Sequence, residues 1–259
     1  YIDWLQTHDL KRAEAFWREH LRGFTTPTRL PAARVAHELD RKSAAGEIAF
    51  RLPAAETNAL RAVARRHDAT LNTMVQAAWA LVLGRHAGED EVMFGAVRAC
   101  RKIPVEGAES MIGLLINTVP VRATARADLR VSTCLRELRQ QWVALRDYEH
   151  TPLMKVRQWS EIPPGQPLFE TMVSYQEPAW DAALNALGGP WAHRCFDIRA
   201  QPNYPLALEV LGGETLTVKF IYDPGRFTPE AMAGLAGHYR TVLEALAKDA
   251  YENLGDVPL

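Results

Sequence analysis

Apolar residues recur at helical spacing in five stretches of the chain. The stretches lie near residues 10–21, 60–67, 71–83, 135–145 and 228–246. Intervals of three or four residues place the apolar side chains on one face of an amphipathic helix. The third stretch is apolar almost all round, which predicts a buried packing helix with Thr70 as its N-cap. The fifth is expected to begin at Thr228, with Pro229 in its first turn.

Alternating apolar residues predict strands between these helices. Ile48 to Leu52 alternates, and residues 92–94 and 119–121 form short β-prone runs. Two later alternating runs, 206–210 and 216–220, flank Gly212-Gly213, which predicts a hairpin closed by a two-residue glycine turn. Helices and strands are interleaved without a domain boundary, so we expect an α/β fold: a single lobe, residues 1–259, with helices packed on a mixed β-sheet.

Composition excludes several classes of partner. The 259 residues include 30 basic and 31 acidic side chains, a formal net charge of −1. No global field would attract nucleic acid or an anionic membrane, so we expect neither as a partner. The first residues lack the features of a signal peptide, and the longest apolar window, Met74 to Gly84, is too short to span a bilayer. These features predict a soluble, cytoplasmic protein.

Three cysteines, Cys100, Cys134 and Cys195, show no metal-like spacing. An odd number of cysteines fits reduced thiols in the cytosol better than a disulfide framework. The chain also begins without an initiator methionine and close to a helical run. We therefore expect it to be a piece of a longer protein.

Asn117 is a polar residue inside the apolar run that extends from Met111 to Arg122. Burying an amide without partners costs roughly a few kcal/mol. Asn117 is therefore either hydrogen-bonded to the backbone in the core or presented at a cleft. The residues alone favour the first alternative.

Other candidate chemistry is sparse. No histidine has a second ligand at metal spacing, and no phosphate loop, dinucleotide fingerprint or serine elbow is present. His150 could act as a general base, although a histidine favoured by a helix C-terminus is the better interpretation. Arg101 is either a surface charge or the buried partner of a carboxylate. Cys100 could be a nucleophile only beside a base, and none is evident.

Several segments together resemble the condensation domains of nonribosomal peptide synthetases. Residues 112–122 match the motif Ile-Gly-x-x-x-Asn-Thr-x-Pro-x-Arg. The remaining matches follow the family's order: the aromatic start 1–5 with Phe16-Trp17, the buried helix 70–83, the segment 94–101, a helix motif at 150–153 and a strand motif at 167–172. The named matches run from Tyr1 to Met172.

The resemblance implies that this chain is half of a domain. A complete condensation domain has two lobes like chloramphenicol acetyltransferase subunits, facing each other across a tunnel, and its His-His-x-x-x-Asp-Gly motif lies in the first lobe. No two histidines are adjacent in this sequence. The chain therefore resembles the C-terminal lobe, with the catalytic histidine and the rest of the N-terminal lobe absent. Alone, it is expected to be inactive and to associate through an apolar face.

The family also implies roles for individual residues and partners. Arg101 would pair with the motif aspartate across the lobe boundary, Asn117 would sit at the tunnel wall, and Gly95 would let the backbone approach the tunnel. Residues 163–166 would bridge towards the other lobe. Substrates would arrive on the phosphopantetheine of donor and acceptor carrier proteins beside an adenylation domain, with no cofactor or metal bound by this lobe.

Ala99-Cys100-Arg101 departs from the family's usual Ser-Gly-Arg. This departure, with the 150–153 motif, favours a starter-type or otherwise specialised subclass, such as one accepting a fatty acyl donor. Two alternatives to catalysis of amide formation stay open. One is a non-catalytic condensation-like platform that recruits a carrier protein or tailoring enzyme, and the other is an epimerisation domain.

Overall fold

The structure is a computed structural model that describes residues 1–7, 9–31, 44–177, 186–191 and 203–259. Its strands are β1 Gly46–Leu52, β2 Glu91–Ala99, β3 Ile116–Thr124, β4 Thr171–Gln176, β5 Leu206–Gly212 and β6 Leu216–Tyr222. Its helices within those ranges are α1 Ile2–Thr7, α2 Leu10–His20, α3 Ala54–Arg66, α4 Leu71–Ala87, α5 Val131–Ala144, α6 Leu153–Trp159 and α7 Pro229–Lys248. None of these helices has the length and apolar character needed to span a membrane.

The six strands form one mixed sheet in the order β1-β6-β5-β4-β2-β3. β4 runs parallel to both β2 and β5, whereas the remaining neighbours are antiparallel. The expected α/β fold with a mixed sheet is therefore confirmed. Because β2 and β3 are neighbours at one end of the sheet, the side chains on these two strands are grouped at that end.

Helix α4 is the central packing element on one face of the sheet. Thr70 caps it as predicted: its hydroxyl accepts from the Thr73 amide at 3.2 Å, while the Thr73 hydroxyl accepts from the Thr70 amide at 3.3 Å. Trp79 of α4 is fully buried, and its indole nitrogen donates to the Thr171 hydroxyl at 3.3 Å. Helices α3, α5 and α7 complete this layer, so α4 is buried on nearly all sides as its sequence predicts.

A smaller core lies on the other side of β2 and β3. Trp17 of α2 and Phe169, just before β4, are buried there with Met93 and Val119. Helix α6 packs on α2 and adds Val156 to this cluster. The β2–β3 end of the sheet is thus covered on both faces.

The outer edge of β3 offers no free backbone N–H at positions 118, 120 and 122. Pro120 has no amide hydrogen, and the Thr118 amide donates to Asn117 Oδ1 at 3.0 Å. At Arg122, the Gln141 side chain both accepts from the amide at 3.1 Å and donates to the carbonyl at 2.6 Å. Capped edges of this kind resist pairing with a further strand.

The hairpin prediction was right in its strands and wrong in its turn. Gly212 pairs with Leu216, so three residues, 213–215, connect β5 to β6 instead of a Gly212-Gly213 pair. The Gly213 amide donates to the Thr215 carbonyl at 3.2 Å. Gly212 is instead a strand residue packed close against the Tyr175 ring, where a Cβ would clash. Its small size therefore serves packing in the sheet.

Candidate functional site

The three residues predicted to form the site lie on or beside β2 and β3. Gly95 is in the middle of β2, Arg101 follows its last residue by two positions, and Asn117 is the second residue of β3. Asn117 pairs across the strands with Arg98. The structure therefore places Arg101 and Asn117 near the same end of the two strands, and Gly95 further along β2.

Asn117 uses its side chain to join β3 to the turn that precedes α6. Its amide nitrogen donates to the Glu149 carbonyl at 2.9 Å and to the Thr151 carbonyl at 2.8 Å. Its oxygen accepts from the Thr118 amide. Both amide hydrogens thus bind backbone, which is the first of the two alternatives drawn from the sequence. The side chain is satisfied within this lobe.

Arg101 belongs to the connecting loop, defined as residues 100–115 between β2 and β3. It is partly buried, and its guanidinium donates to the Met111 carbonyl at 2.6 Å and the Ala108 carbonyl at 3.4 Å. These bonds hold the loop in a compact shape. Among the described residues this contact is with backbone carbonyls, and the sequence alternatives, a surface charge or the buried partner of a carboxylate, stay predictions.

Apolar side chains project from the end of the connecting loop into solvent. Ile112 is fully exposed, Leu114 is 90% exposed and Ile116 is 63% exposed. We call these three residues the apolar ridge. Grouped exposed apolar side chains are a common feature of surfaces that contact another protein, a ligand or a membrane.

Gly95 permits a close approach inside the lobe. A Cβ at this position would clash with Phe169 Cε2 and would lie 2.8 Å from Phe169 Cζ and 2.9 Å from Thr118 Cγ2. The Phe169 ring itself is 2% exposed and stacks on Tyr204. The structure thus gives Gly95 a packing role, and its predicted approach to a tunnel stays a prediction.

A buried ion pair at this end of the sheet was missed at the sequence level. Arg98 and Glu149 are 7% and 4% exposed, and Arg98 Nε donates to Glu149 Oε2 at 2.7 Å. A second guanidinium nitrogen of Arg98 binds the same oxygen. The Arg98 guanidinium carbon also lies 3.8 Å from the centre of the Trp142 ring.

Burial dominates the electrostatics of this pair. Loss of hydration raises the pKa of the Glu149 carboxyl, and the nearby Arg98 opposes that rise. Loss of hydration likewise lowers the pKa of the Arg98 guanidinium, against the attraction of Glu149. Loss of hydration is thus the largest influence on the pKa of both groups, and the attraction between them opposes it.

The cysteines of the described residues are poor nucleophiles. Cys100 and Cys134 are buried and free. Burial raises the pKa of each thiol to about 12, with Glu149 adding to the effect at Cys100. Since the thiolate is the reactive form, this disfavours the nucleophile interpretation of Cys100. Cys195 lies outside the described residues.

His150 does not lie at the end of a helix. Helix α5 ends at Ala144 and a 3-10 turn follows through Asp147, so His150 belongs to the turn before α6. The side chain is buried, and the edge of its ring meets Trp4 of α1 at a centroid distance of 4.5 Å. The helix-dipole interpretation was therefore wrong, because α5 ends at Ala144, six residues before His150.

No group of three or more histidine, cysteine, aspartate or glutamate side chains in the described ranges could hold a metal ion. The polar groups of the β2–β3 end bind backbone carbonyls and each other. Among the residues that the structure describes, this end of the sheet therefore presents the apolar ridge and no nucleophile and base held together.

The family model of the condensation domain matches residues 1–259. The chain belongs to the condensation domain family. Among curated relatives, a linear gramicidin synthase of Brevibacillus parabrevis is 38% identical over 264 residues. Chondramide synthase cmdD of Chondromyces crocatus is 32% identical over 255 residues. These matches cover all and 96% of this chain, but 5% and 6% of the respective relatives.

Two solved structures have a fold similar to that of this chain. The X-domain from teicoplanin biosynthesis matches with a TM-score of 0.81 and 23% identity, covering all of this chain and 59% of that one. A mutant starter condensation domain of rhizomide synthetase, in complex with C8-CoA, matches with a TM-score of 0.76 and 22% identity. There the match covers 99% of this chain and 56% of the other.

Proposed function

We propose that residues 1–259 form the C-terminal lobe of a nonribosomal peptide synthetase condensation domain. The apolar ridge carries this proposal, because it is exposed beside Arg101, where the family's first lobe is expected. The solved relatives are larger than this chain, which covers 56% and 59% of them. The absence of adjacent histidines from the sequence is consistent with a catalytic motif in another lobe.

The proposed reaction joins two substrates that are held as thioesters on carrier proteins. The acceptor amine nitrogen attacks the donor thioester carbon, a C–N bond forms and the C–S bond breaks. The phosphopantetheine sulfur leaves and takes up a proton as the nitrogen loses one. A histidine of the first lobe would handle that proton. This lobe would supply one wall of the tunnel and bind no cofactor itself.

Gly95, Arg101 and Asn117 have distinct parts in this proposal. Arg101 would pair with the aspartate of the first lobe's motif across the boundary. Asn117 would shape the tunnel wall by holding the 149–151 backbone, since its amide hydrogens already bind Glu149 and Thr151. Gly95 would let the wall pack tightly against Phe169.

The partners follow from the same proposal. Donor and acceptor carrier proteins would dock on opposite faces of the assembled domain, next to an adenylation domain. The departure at Ala99-Cys100-Arg101 keeps a starter-type or specialised subclass as the expectation for the donor. An epimerisation domain is less consistent with the motifs at 112–122 and 167–171.

A condensation assay tests the proposal. Donor-loaded and acceptor-loaded carrier proteins are mixed with this chain alone, with the first lobe alone, and with both, and the amide product is followed by mass spectrometry. We expect product only with both lobes, and product from this chain alone would refute the assignment. Arg101→Ala should reduce the rate of the assembled domain. Arg51→Ala is the matched control. Arg51 is an exposed residue of β1, at the other end of the sheet, and its replacement should leave the rate unchanged.

A second candidate function is a non-catalytic platform. It is favoured by the match to the teicoplanin X-domain, a protein also solved as a complex with OxyB. In that case the parent protein should carry a damaged histidine motif in its first lobe. Reading that motif, together with a binding assay against tailoring enzymes, discriminates the two functions.

A further inference from the structure

We propose that Glu149 is a positioning residue that clamps both ends of the connecting loop and thereby sets where Arg101 and the apolar ridge meet the first lobe. This inference rests on the proposed function. It assigns the buried Arg98–Glu149 pair a task in presenting the lobe boundary.

Glu149 binds both strands from which the connecting loop emerges. Its carboxylate accepts from Arg98 on β2, and its backbone carbonyl accepts from Asn117 on β3 at 2.9 Å. Arg98 and Asn117 are directly opposite each other in the strand register. The Cys100 thiol, at the start of the loop, donates to the same carbonyl at 3.3 Å. One residue thus holds both ends of the loop.

Hydrogen bonds within the connecting loop fix its shape. The Cys100 amide donates to the Leu115 carbonyl at 2.8 Å, which closes the loop at its base. Arg101 binds the Ala108 and Met111 carbonyls further out. The contacts to Glu149 add to these bonds by tying the base of the loop to the turn that precedes α6.

Stability alone is a weak reason to keep this ion pair. Replacing a buried ion pair by apolar residues of similar size is often neutral or stabilising, whereas removing one partner is costly. Arg98 also stacks on Trp142, so an apolar side chain would have a surface to pack on. An apolar pair would lack directional hydrogen bonds. Methyl groups would fill the space but would not fix the orientation of β2 relative to the turn that precedes α6.

The experiment separates packing from positioning in the complete two-lobed domain. The variants are Glu149→Gln, the apolar double variant Arg98→Met/Glu149→Leu, and Arg98→Lys. The matched control is Arg240→Met/Glu244→Leu, which replaces an exposed ion pair on α7. Each is measured for melting temperature, for hydrogen exchange of the loop amides at 101–115, and for kcat and KM in the condensation assay.

We expect Glu149→Gln to lower the melting temperature and the rate, because Arg98 is left buried without its charged partner. The apolar double variant should melt within a few degrees of the wild type, yet its loop amides should exchange at least tenfold faster and its kcat should fall at least tenfold. KM for the carrier-bound substrates should change less than kcat. The α7 control should match the wild type in all three.

A double variant with wild-type loop exchange and wild-type kcat overturns the inference. If that variant does not fold, Arg98→Lys decides, since lysine keeps the charge but cannot bring two nitrogens to one carboxylate oxygen. Wild-type loop exchange in Arg98→Lys would also overturn the inference. Should the wild-type domain form no amide, the proposed function fails, while loop exchange still tests the clamp.

Discussion

Replacing Gly95 by alanine tests directly why the chain has a glycine in the middle of a buried strand. The added methyl group would clash with the Phe169 ring and lie 2.9 Å from Thr118 Cγ2. Neither neighbour can move away easily. Phe169 is 2% exposed, and Thr118 is fixed on β3, which pairs with β2 along its length.

The expected cost can be estimated from two opposing effects. Forcing an extra methyl group into a packed core costs about 1–3 kcal/mol. Alanine is favoured over glycine within a strand by roughly 0.5–1 kcal/mol, which offsets part of that cost. Taking the middle of each range, we expect a net loss of about 1.25 kcal/mol, and a fall in melting temperature of about 2.5–5 °C for a chain of this size.

Urea and thermal unfolding of the 259-residue chain measure the effect. Gly234→Ala is the matched control, because Gly234 lies inside α7 with no atom within 4 Å of the added Cβ. That control should stabilise the helix by about 0.5–1 kcal/mol. The two glycine-to-alanine changes should thus shift stability in opposite directions.

A double-mutant cycle identifies the neighbour. Phe169→Leu alone leaves a cavity and should cost roughly 1–2 kcal/mol. With Gly95→Ala present, the smaller side chain relieves the clash, so the two costs should fall short of additivity by at least about 0.5 kcal/mol. Strict additivity, or an alanine at residue 95 that unfolds like the wild type, would refute the packing explanation.

Two further predictions concern the same end of the fold. Burial, with the nearby charge of Arg122, lowers the pKa of His20 to about 4, so stability present above pH 6.5 should be lost as pH falls towards 4, by up to about 3 kcal/mol. His20→Phe should flatten that part of the stability curve in urea titrations, and an unchanged slope would contradict the assignment. Asn117→Ala should cost about 1–3 kcal/mol in the same assay, because the Thr151 carbonyl loses the Asn117 donor and the Glu149 carbonyl keeps only the weak Cys100 thiol donor. Asn117→Asp should cost at least as much, because a carboxylate would face both carbonyl oxygens; a neutral result for either variant would show that the two bonds are dispensable.

The long amphipathic helices could be predicted because their apolar period extends over several turns. Helices α2 and α7 have the faces that their sequences indicate, and α4 is buried all round as expected. Short elements gave too little signal: α6 has seven residues and a single buried one, Val156. Periodicity missed α6 and β4, and only the family motifs pointed to them.

The candidate site was less predictable because its contacts are long-range. Glu149 lies 51 residues from Arg98 in the chain, and nothing in either local sequence indicates that the two charges meet. Asn117 could be given two interpretations for the same reason, since its acceptors are 32 and 34 residues away. Single-sequence patterns report the face on which a residue lies, whereas its partner depends on how the strands are brought together.

The capped edge of β3 has a consequence for how a separated lobe would behave during expression. The apolar ridge ends at Ile116, the first residue of β3. The outward backbone positions of that strand at 118, 120 and 122 offer no free N–H to a strand of another molecule. Copies of a separated lobe should therefore associate through the apolar side chains of the ridge and not by strand pairing at the β3 edge. Mild detergent should solubilise such aggregates. Co-expression with the matching N-terminal lobe should keep the polypeptide out of inclusion bodies.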